Sequence, residues 1–376
     1  MELLSTYLPG IVRDLPVNGT HPVARTMRSK RLDLDAYDTD KIRLGYLDLY
    51  DPILTSWSNK EIKLLEVGVK KGGSLRLWRD YFPHGTIIGI DRKLPQRLET
   101  GERIQVFQGD QADGAFLSKV ASQTAPDGFD IIIDDASHIG ELTKATFWHL
   151  FDRHLKPGGL YAIEDWGTGY LDDFPDGKRF EPKPSTLARL RSFLPRRLRR
   201  KMKIPFPCHS YGMVGFVKEL VDEQGAGNIA LGRKRNFRFS KFKNLLITPG
   251  IVFVTKASPT LKASPDLVPA SKGKGKTTIS WNSVDGKIYV SANGGNESLF
   301  SGSPRGSQDA SWINEGFRYE FRLTTGTTLN FSIKWWSQKQ RRNGPDFEYP
   351  RLPIVHLPST GHRQYGASHR EDAQIV

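Results

Sequence analysis

The sequence predicts an α/β protein: a Rossmann-like, seven-stranded sheet followed by a small all-β sandwich-like module. Three observations carry this. Short β-branched apolar runs without polar alternation recur through the first two thirds of the chain, as in strands buried on both faces of a parallel sheet. Segments of helical period separate them, the order that gives right-handed crossovers. Beyond residue 276 the apolar residues fall at every second position, the period of half-buried strands.

Residues 1–37 mix Pro, Gly and Arg without a period and read as an N-terminal arm. From Asp38 the spacing of Ile42, Tyr46, Leu49 and Tyr50 predicts a helix. Lys63–Val69 is the first strand and runs into Lys70-Lys71-Gly72-Gly73-Ser74, where Gly73 or Ser74 caps the helix of Leu75–Tyr81. Thr86–Ile90 is the second strand, ending at Asp91, and Ile104–Phe107 the third, ending at Gly109-Asp110-Gln111. Phe129–Ile133 is the fourth and ends in Asp134-Asp135, with His138 three residues on; Leu160–Ile163 is the fifth and ends in Glu164-Asp165-Trp166. Helical segments at 115–122 and 142–155 separate strands three, four and five. Residues 182–205 form a basic amphipathic insertion broken by Pro195, and a helix follows over 211–223. Residues 237–239, 245–247 and 251–254 read as closing strands, so this domain covers 38–256. A Ser-, Pro- and Lys-rich linker (257–276) leads to the β module (277–337) and to a polar tail (338–376) expected to be disordered. The module's tryptophans Trp281, Trp312, Trp335 and Trp336 are expected in its core, with a sugar-stacking face as the alternative.

Composition bounds the function. At 376 residues the chain can bury a full core and hold more than one domain. Lys and Arg number 55 against 41 Asp and Glu, a net charge of +14 that is concentrated at 183–203 and 233–235. That charge admits a lid over the acceptor site, a patch at 183–203 for an anionic substrate or membrane surface, or a solvated helix. Nucleic-acid binding ranks below these, because no interleaved stacking aromatics accompany the charge. One cysteine, Cys208, excludes an intramolecular disulfide framework and fits a reducing compartment. The first residues lack a secretory pattern and no apolar stretch is long enough to cross a bilayer, so a cytoplasmic location is expected.

Ligands of open α/β sheets sit at the carboxyl ends of strands, where this sequence places its acids. Glycines at the turn Glu66-Val67-Gly68-Val69-Lys70-Lys71-Gly72-Gly73 let backbone approach a ligand. Asp91 is placed to accept from ribose hydroxyls, and Asp110 and Gln111 to receive an adenine amino group. Together Glu66, Gly68, Asp91 and Asp110, with the turn Lys156-Pro157-Gly158-Gly159, resemble the class I S-adenosylmethionine-dependent methyltransferases. The resemblance implies that fold, S-adenosylmethionine as cofactor, and a binding set of Glu66, Gly68, Gly72, Ser74, Asp91, Asp110, Gln111 and Asp134.

Within that family, Asp135-x-x-His138, Glu164-Asp165 and the upstream Asp38-Thr39-Asp40-Lys41 with Gly45-Tyr46 and Tyr50 resemble the metal-dependent sugar O-methyltransferases of the macrocin and mycinamicin type, over residues 38–255. This implies Mg²⁺ held by Asp135, Glu164 and Asp165, with His138 as general base and a sugar or glycosylated small molecule as acceptor. Hard oxygen donors without cysteine favour Mg²⁺ over zinc. Asp134 points to the strand face opposite Asp135 and so is left out of the metal set; Trp166 and Tyr170 are placed to line a sugar pocket. An acceptor with a catechol or other vicinal diol is the alternative enzyme, and a non-catalytic binding protein on the same fold the alternative of another class. The C-terminal module resembles a small fibronectin type III or immunoglobulin-like sandwich. The resemblance leaves oligomeric state open, and an oligomer is compatible with it.

Overall fold

A computed structural model describes residues 27–96, 98, 101–180, 193, 195, 209–232, 239–265, 268–270, 274–284, 286–324 and 330–339. The chain divides into two compact units at Ser258/Pro259. All of the expected insertion at 182–205 except residues 193 and 195, and most of the expected arm and tail, lie outside the described residues.

The first unit is built on seven strands: β1 (Lys63–Val67), β2 (Thr86–Asp91), β3 (Ile104–Gln108), β4 (Phe129–Asp134), β5 (Leu155–Glu164), β6 (Phe242–Ile247) and β7 (Ile251–Lys256). Their order across the sheet is β3-β2-β1-β4-β5-β7-β6, with β7 antiparallel to both its neighbours and the other pairings parallel. This is the methyltransferase-like sheet that the sequence predicts. Two details differ. The Lys156–Gly159 turn is absorbed into β5 as an irregularity in its pairing with β4, Gly158 taking φ +77°. Phe239 lies in no strand; the edge strand is β6, which begins at Phe242.

Strand parity distributes the core. Leu65, Val67, Ile132, Tyr161 and Ile163 face one side, packed by α4 (Gly114–Thr124), α5 (Gly140–Arg153) and α7 (Gly212–Gln224). Leu64, Ile131, Ile133, Leu160 and Ala162 face the other, packed by α2 (Tyr46–Leu54) and α3 (Gly73–Tyr81). Leu64, Ile131 and Ile132 are wholly buried, each contributing about 1.5–3 kcal/mol by leaving water. The short helix α1 (Asp40–Arg43) precedes α2; the Thr39 hydroxyl caps it by accepting from the amide of Lys41. Two small helices, α6 (Pro175–Lys178) and α8 (Ala226–Gly232), flank α7. Asp176 of α6 accepts from the amides of Gly140 and Met213, both at 2.8 Å, and so caps α5 and α7 together.

Residues 28–37, expected to be part of a loose arm, pack on this unit. The Arg28 guanidinium donates to the carbonyls of Asp80 (2.9 Å) and Tyr81 (3.1 Å), and Ser29 is buried against Asp51. Five backbone and side-chain bonds outweigh what composition alone suggested: Tyr37 also donates to Asp80, at 2.9 Å, and the Ser29 amide and hydroxyl both donate to Asp51.

The second unit holds β8 (Thr260–Ser264), β9 (Val268–Ala270), β10 (Lys274–Asn282), β11 (Lys287–Ala292), β12 (Ser298–Ser301), β13 (Arg305–Asn314), β14 (Arg318–Thr324) and β15 (Asn330–Lys339). They form a three-stranded sheet, β13-β10-β8, and a five-stranded sheet, β12-β11-β14-β15-β9, which share one core of Ile279, Trp281, Ile313, Ile288, Phe321 and their neighbours. Residues 257–276 are therefore not a plain linker. β8 pairs antiparallel with β10, and its Leu261 and Ala263 pack against the core. Alternation on a polar edge strand is easily hidden by serine, proline and lysine. β15 likewise reaches Lys339, past the expected start of the tail. Among the described residues no helix is long and apolar enough to cross a membrane.

Candidate active site

β1 delivers the chain to Gly68, which has φ +100°. A Cβ there would collide with the carbonyl of Asp135, so glycine is what lets the ends of β1 and β4 approach this closely. The approach is tied by hydrogen bonds, Gly68 N to Ile90 O and Asp135 N to Val67 O, each 2.8 Å. At the end of β2, one oxygen of Asp91 accepts from the amides of Val69 (2.9 Å) and Lys70 (3.0 Å), and the other from Lys93 (2.9 Å). Asp91 thus shapes the glycine turn itself. A cleft of about 960 Å³ opens over it, lined by Gly68, Ser74, Asp91, Asp110 and Gln111 and, further along, by Asp135, His138 and Asp165. Its size suits a drug-sized ligand or cofactor.

Four residues of the expected set do not line this cleft. Glu66 is wholly buried and accepts from Ser74 Oγ at 2.8 Å and Trp78 Nε1 at 3.4 Å, so it reaches the cleft only by holding Ser74. Gly72 takes φ +81° as the cap of α3, facing Leu98. Asp134 lies on the opposite sheet face from Glu66, 2% exposed, where it accepts from the Tyr161 hydroxyl at 3.1 Å. Burial, with Asp135 adding to it, pushes its carboxyl up to about 7. The Asp134 side chain therefore faces away from this cleft. Glu164, expected as a metal ligand, is the fourth. One of its oxygens accepts from Tyr50 OH (2.6 Å) and the other from Lys41 Nζ (2.7 Å). Parity explains the placement: Glu66 and Glu164 fall on the α2–α3 side of the sheet, beneath the strand ends.

What does converge at the strand ends is Asp135, His138 and Asp165. His138 Nε2 stands 3.8 Å from Asp135 Oδ1 and 3.9 Å from Asp165 Oδ2. These separations are too long for hydrogen bonds, and all three ligand atoms lie within 4.8 Å of one another, the span of a cation site. The hard carboxylate oxygens of Asp135 and Asp165 suit a divalent cation, with the imidazole standing beside them. His138 (φ +53°) and Asp165 (φ +55°) are both in left-handed backbone, as is Lys70 (φ +50°) on the glycine turn. Non-glycine residues bear that conformation at a cost, and it collects at functional sites. Asp165 also accepts from the Tyr46 hydroxyl. Burial chiefly raises its carboxyl, and Asp135 raises it further. The His138 ring meets Phe174 edge-on at 5.8 Å.

Below the cluster lies Lys41, 1% exposed, the last residue of the Asp38–Lys41 motif and one to which its sequence context attaches no role. Its ammonium stands 2.7 Å from Asp135 Oδ2, 2.7 Å from Glu164 Oε2 and 3.4 Å from Glu66 Oε1. Burial disfavours that ammonium, but the three carboxylates outweigh it and hold the pKa well above the ordinary lysine value. Lys41 reaches this point because α1 lies across the strand ends. The same segment clasps the glycine turn by exposed pairs, Lys70 with Asp40 and Lys71 with Asp38. The signal available in the sequence was a lysine followed by Tyr46 and Tyr50, which are one helical turn apart. Trp166 and Tyr170 do not line the cleft; Trp166 Nε1 donates to the carbonyl of Thr248 at 2.8 Å.

No protein-family model matches the chain. Over 190 residues it is 37% identical to mycinamicin VI 2''-O-methyltransferase of Micromonospora griseorubida, covering 46% of this chain and 45% of that protein. Over 148 residues it is 39% identical to demethylmacrocin O-methyltransferase of Streptomyces fradiae, covering 38% and 36% respectively. The chain thus spans less than half the length of these curated relatives. Among solved structures it is similar to the MycE methyltransferase of the mycinamycin biosynthetic pathway, in complex with Mg, SAH and mycinamycin VI. That match has 29% identity and a TM-score of 0.44, over 61% of this chain and 54% of the other.

Proposed function

We propose that the protein is a divalent-metal-dependent O-methyltransferase that moves the methyl group of S-adenosylmethionine to a hydroxyl of a sugar or glycosylated small molecule. The observation that carries this is the convergence of Asp135, His138 and Asp165 at the end of the cleft shaped by Gly68 and Asp91. Similarity to these two O-methyltransferases supports a hydroxyl oxygen as the atom methylated, and similarity (37% identity over 136 residues) to 8-demethyl-8-(2-methoxy-alpha-L-rhamnosyl)-tetracenomycin-C 3'-O-methyltransferase of Streptomyces olivaceus supports a glycosylated acceptor.

Each residue has a role in this reading. Gly68, Ser74, Asp91, Asp110 and Gln111 hold the methyl donor, with Asp91 also fixing the turn that receives it. Asp135 and Asp165 hold the cation. Bound there, Mg²⁺ supplies positive charge that lowers the pKa of the acceptor hydroxyl. His138 Nε2 takes the hydroxyl proton as general base, since a bare alcohol is a poor nucleophile at neutral pH. An imidazole that ligates the cation has no lone pair free for a proton, so the reading keeps His138 out of the ligand set. Glu164 acts from beneath, through Lys41 and Tyr50, and keeps the Asp135 side of the cluster in place.

Incubation of the protein with methyl-labelled S-adenosylmethionine, Mg²⁺ and a cell extract, followed by identification of the labelled product, tests the reading. Label on a sugar hydroxyl is expected. Label confined to nucleic acid, protein or a catechol ring would refute the acceptor class.

A further inference from the structure

The second unit carries a cavity of its own, of about 480 Å³, within the range of small-ligand sites. It opens between β11, β12 and β14 of the five-stranded sheet and β13 of the three-stranded one. Phe300, Tyr319 and the indole of Trp312 give it an aromatic surface. Trp312 is not in the core, where the sequence reading expected it with Trp281. Trp281 is 5% exposed and its Nε1 donates to the Ser303 carbonyl at 2.8 Å; Trp312 is 39% exposed. Yet the Trp312 ring is held firmly from behind. It stacks on Phe321 (6.1 Å, 22°) and meets Tyr319 edge-on (5.5 Å, 66°). A large flat ring kept rigid with one part in water is a surface prepared for contact.

The rest of the lining indicates what that contact is. Asn296, Gln308, Ser291 and Ser298 stand around the aromatic surface. The side-chain amides of Asn296 and Gln308 have no hydrogen-bond partner among the described residues. Covering them with an apolar protein face would strand those amides at a cost. No charged side chain lines the cavity, so it offers nothing to phosphate or to an anionic polymer. A pyranose ring presents a face of C–H bonds to an aromatic plane and hydroxyls at its edge to amides and hydroxyls. We propose that this cavity binds a neutral pyranose glycan, at a site distinct from the methyl-transfer cleft. The inference does not rest on the methyl-transfer reading. If both hold, one chain carries a glycan anchor and a glycan-modifying site, and a long acceptor gains effective concentration by being held twice.

The test uses the full-length chain without methyl donor on an array of neutral and anionic oligosaccharides, with calorimetry on a neutral oligosaccharide that binds. Trp312→Ala is expected to weaken that binding at least tenfold, and Trp312→Phe, which keeps an aromatic face, to weaken it less. Because Trp312 also packs on Phe321, the double variant Asn296→Ala/Gln308→Ala gives a second reading at solvent-exposed positions, again with a fall of at least tenfold. Melting temperature of the double variant and affinity for S-adenosylhomocysteine should not change. Absence of binding to neutral oligosaccharides, binding to anionic ones alone, or affinity that survives both Trp312→Ala and the double variant overturns the proposal. So does a dimer that dissociates on Trp312→Ala with no glycan bound, which would assign the cavity to a second copy of the chain.

Discussion

Replacing Lys41 by methionine tests whether one buried cation organises the acids beneath the active site. The side chain is 1% exposed and pairs with Asp135 and Glu164 at 2.7 Å each. At an effective dielectric constant of about 20, each contact is worth about 6 kcal/mol of gross attraction. Desolvating the buried ions takes back several kcal/mol per ion, so the pair itself is no large net stabiliser. Removing only the cation is different: Glu164 and Glu66, 1% and 0% exposed, remain buried with their neutral hydrogen-bond donors and lose the charge that balances them. Breaking a buried pair in this way costs about 3–5 kcal/mol. For a unit of this size each kcal/mol lowers the melting temperature by about 2–4 °C, giving a fall of about 6–20 °C. Scanning calorimetry of the full chain would follow the first unit's transition at pH 7. A fall of less than about 2 °C would refute the reasoning, because the acids would then be compensated without Lys41.

Three further outcomes follow from the same geometry. Asp91→Ala should weaken S-adenosylhomocysteine binding by about 1.5–3 kcal/mol in calorimetry, the usual loss for charged hydrogen bonds, since it removes the proposed donor-binding carboxylate and the anchor of two glycine-turn amides, Val69 and Lys70; unchanged affinity would take Asp91 out of the site. His138→Gln should lower turnover by roughly a hundredfold, in line with general-base contributions, while sparing cofactor affinity; retention of the full rate would place the base elsewhere. Away from the site, burial, with help from His149, depresses His154 to about 4. Its folded pKa lies below its unfolded value, so its contribution is complete above pH ~6.5 and lost as pH falls toward 4. His154 is only half-buried, so solvent screening limits the effect to about 1–2 kcal/mol. His154→Gln should flatten the decline in melting temperature over that window, and an unaltered decline would exclude this origin.

Much of the sheet was legible because its strands are buried on both faces and therefore read as unbroken apolar runs between glycine turns. The convergence of Asp135, His138 and Asp165 was legible for a related reason: each follows the end of a neighbouring strand, and ligands gather at those ends. The placement of Glu164 and Glu66 beneath the cleft was not legible. Being at a strand end does not say whether a carboxylate faces the cleft or the layer beneath, and only parity against Leu64 and Ala162 does. Lys41 was hidden because a lysine between Asp40 and Ile42 reads as a solvated helix residue until α1 is laid across the sheet. β8 was hidden because an edge strand with one alternating pair, Leu261 and Ala263, has the composition of a linker. Trp312 shows the converse, a large aromatic in a strand of period two that the fold leaves at the surface.

The central claim is that a divalent cation at Asp135 and Asp165 is needed for methyl transfer by this cleft. Turnover of labelled S-adenosylmethionine with the identified acceptor, measured after exhaustive chelation and again after adding Mg²⁺, addresses it most directly. The account predicts that chelation abolishes turnover and Mg²⁺ restores it, with cofactor affinity nearly unchanged throughout. Full activity in the chelated protein would contradict it.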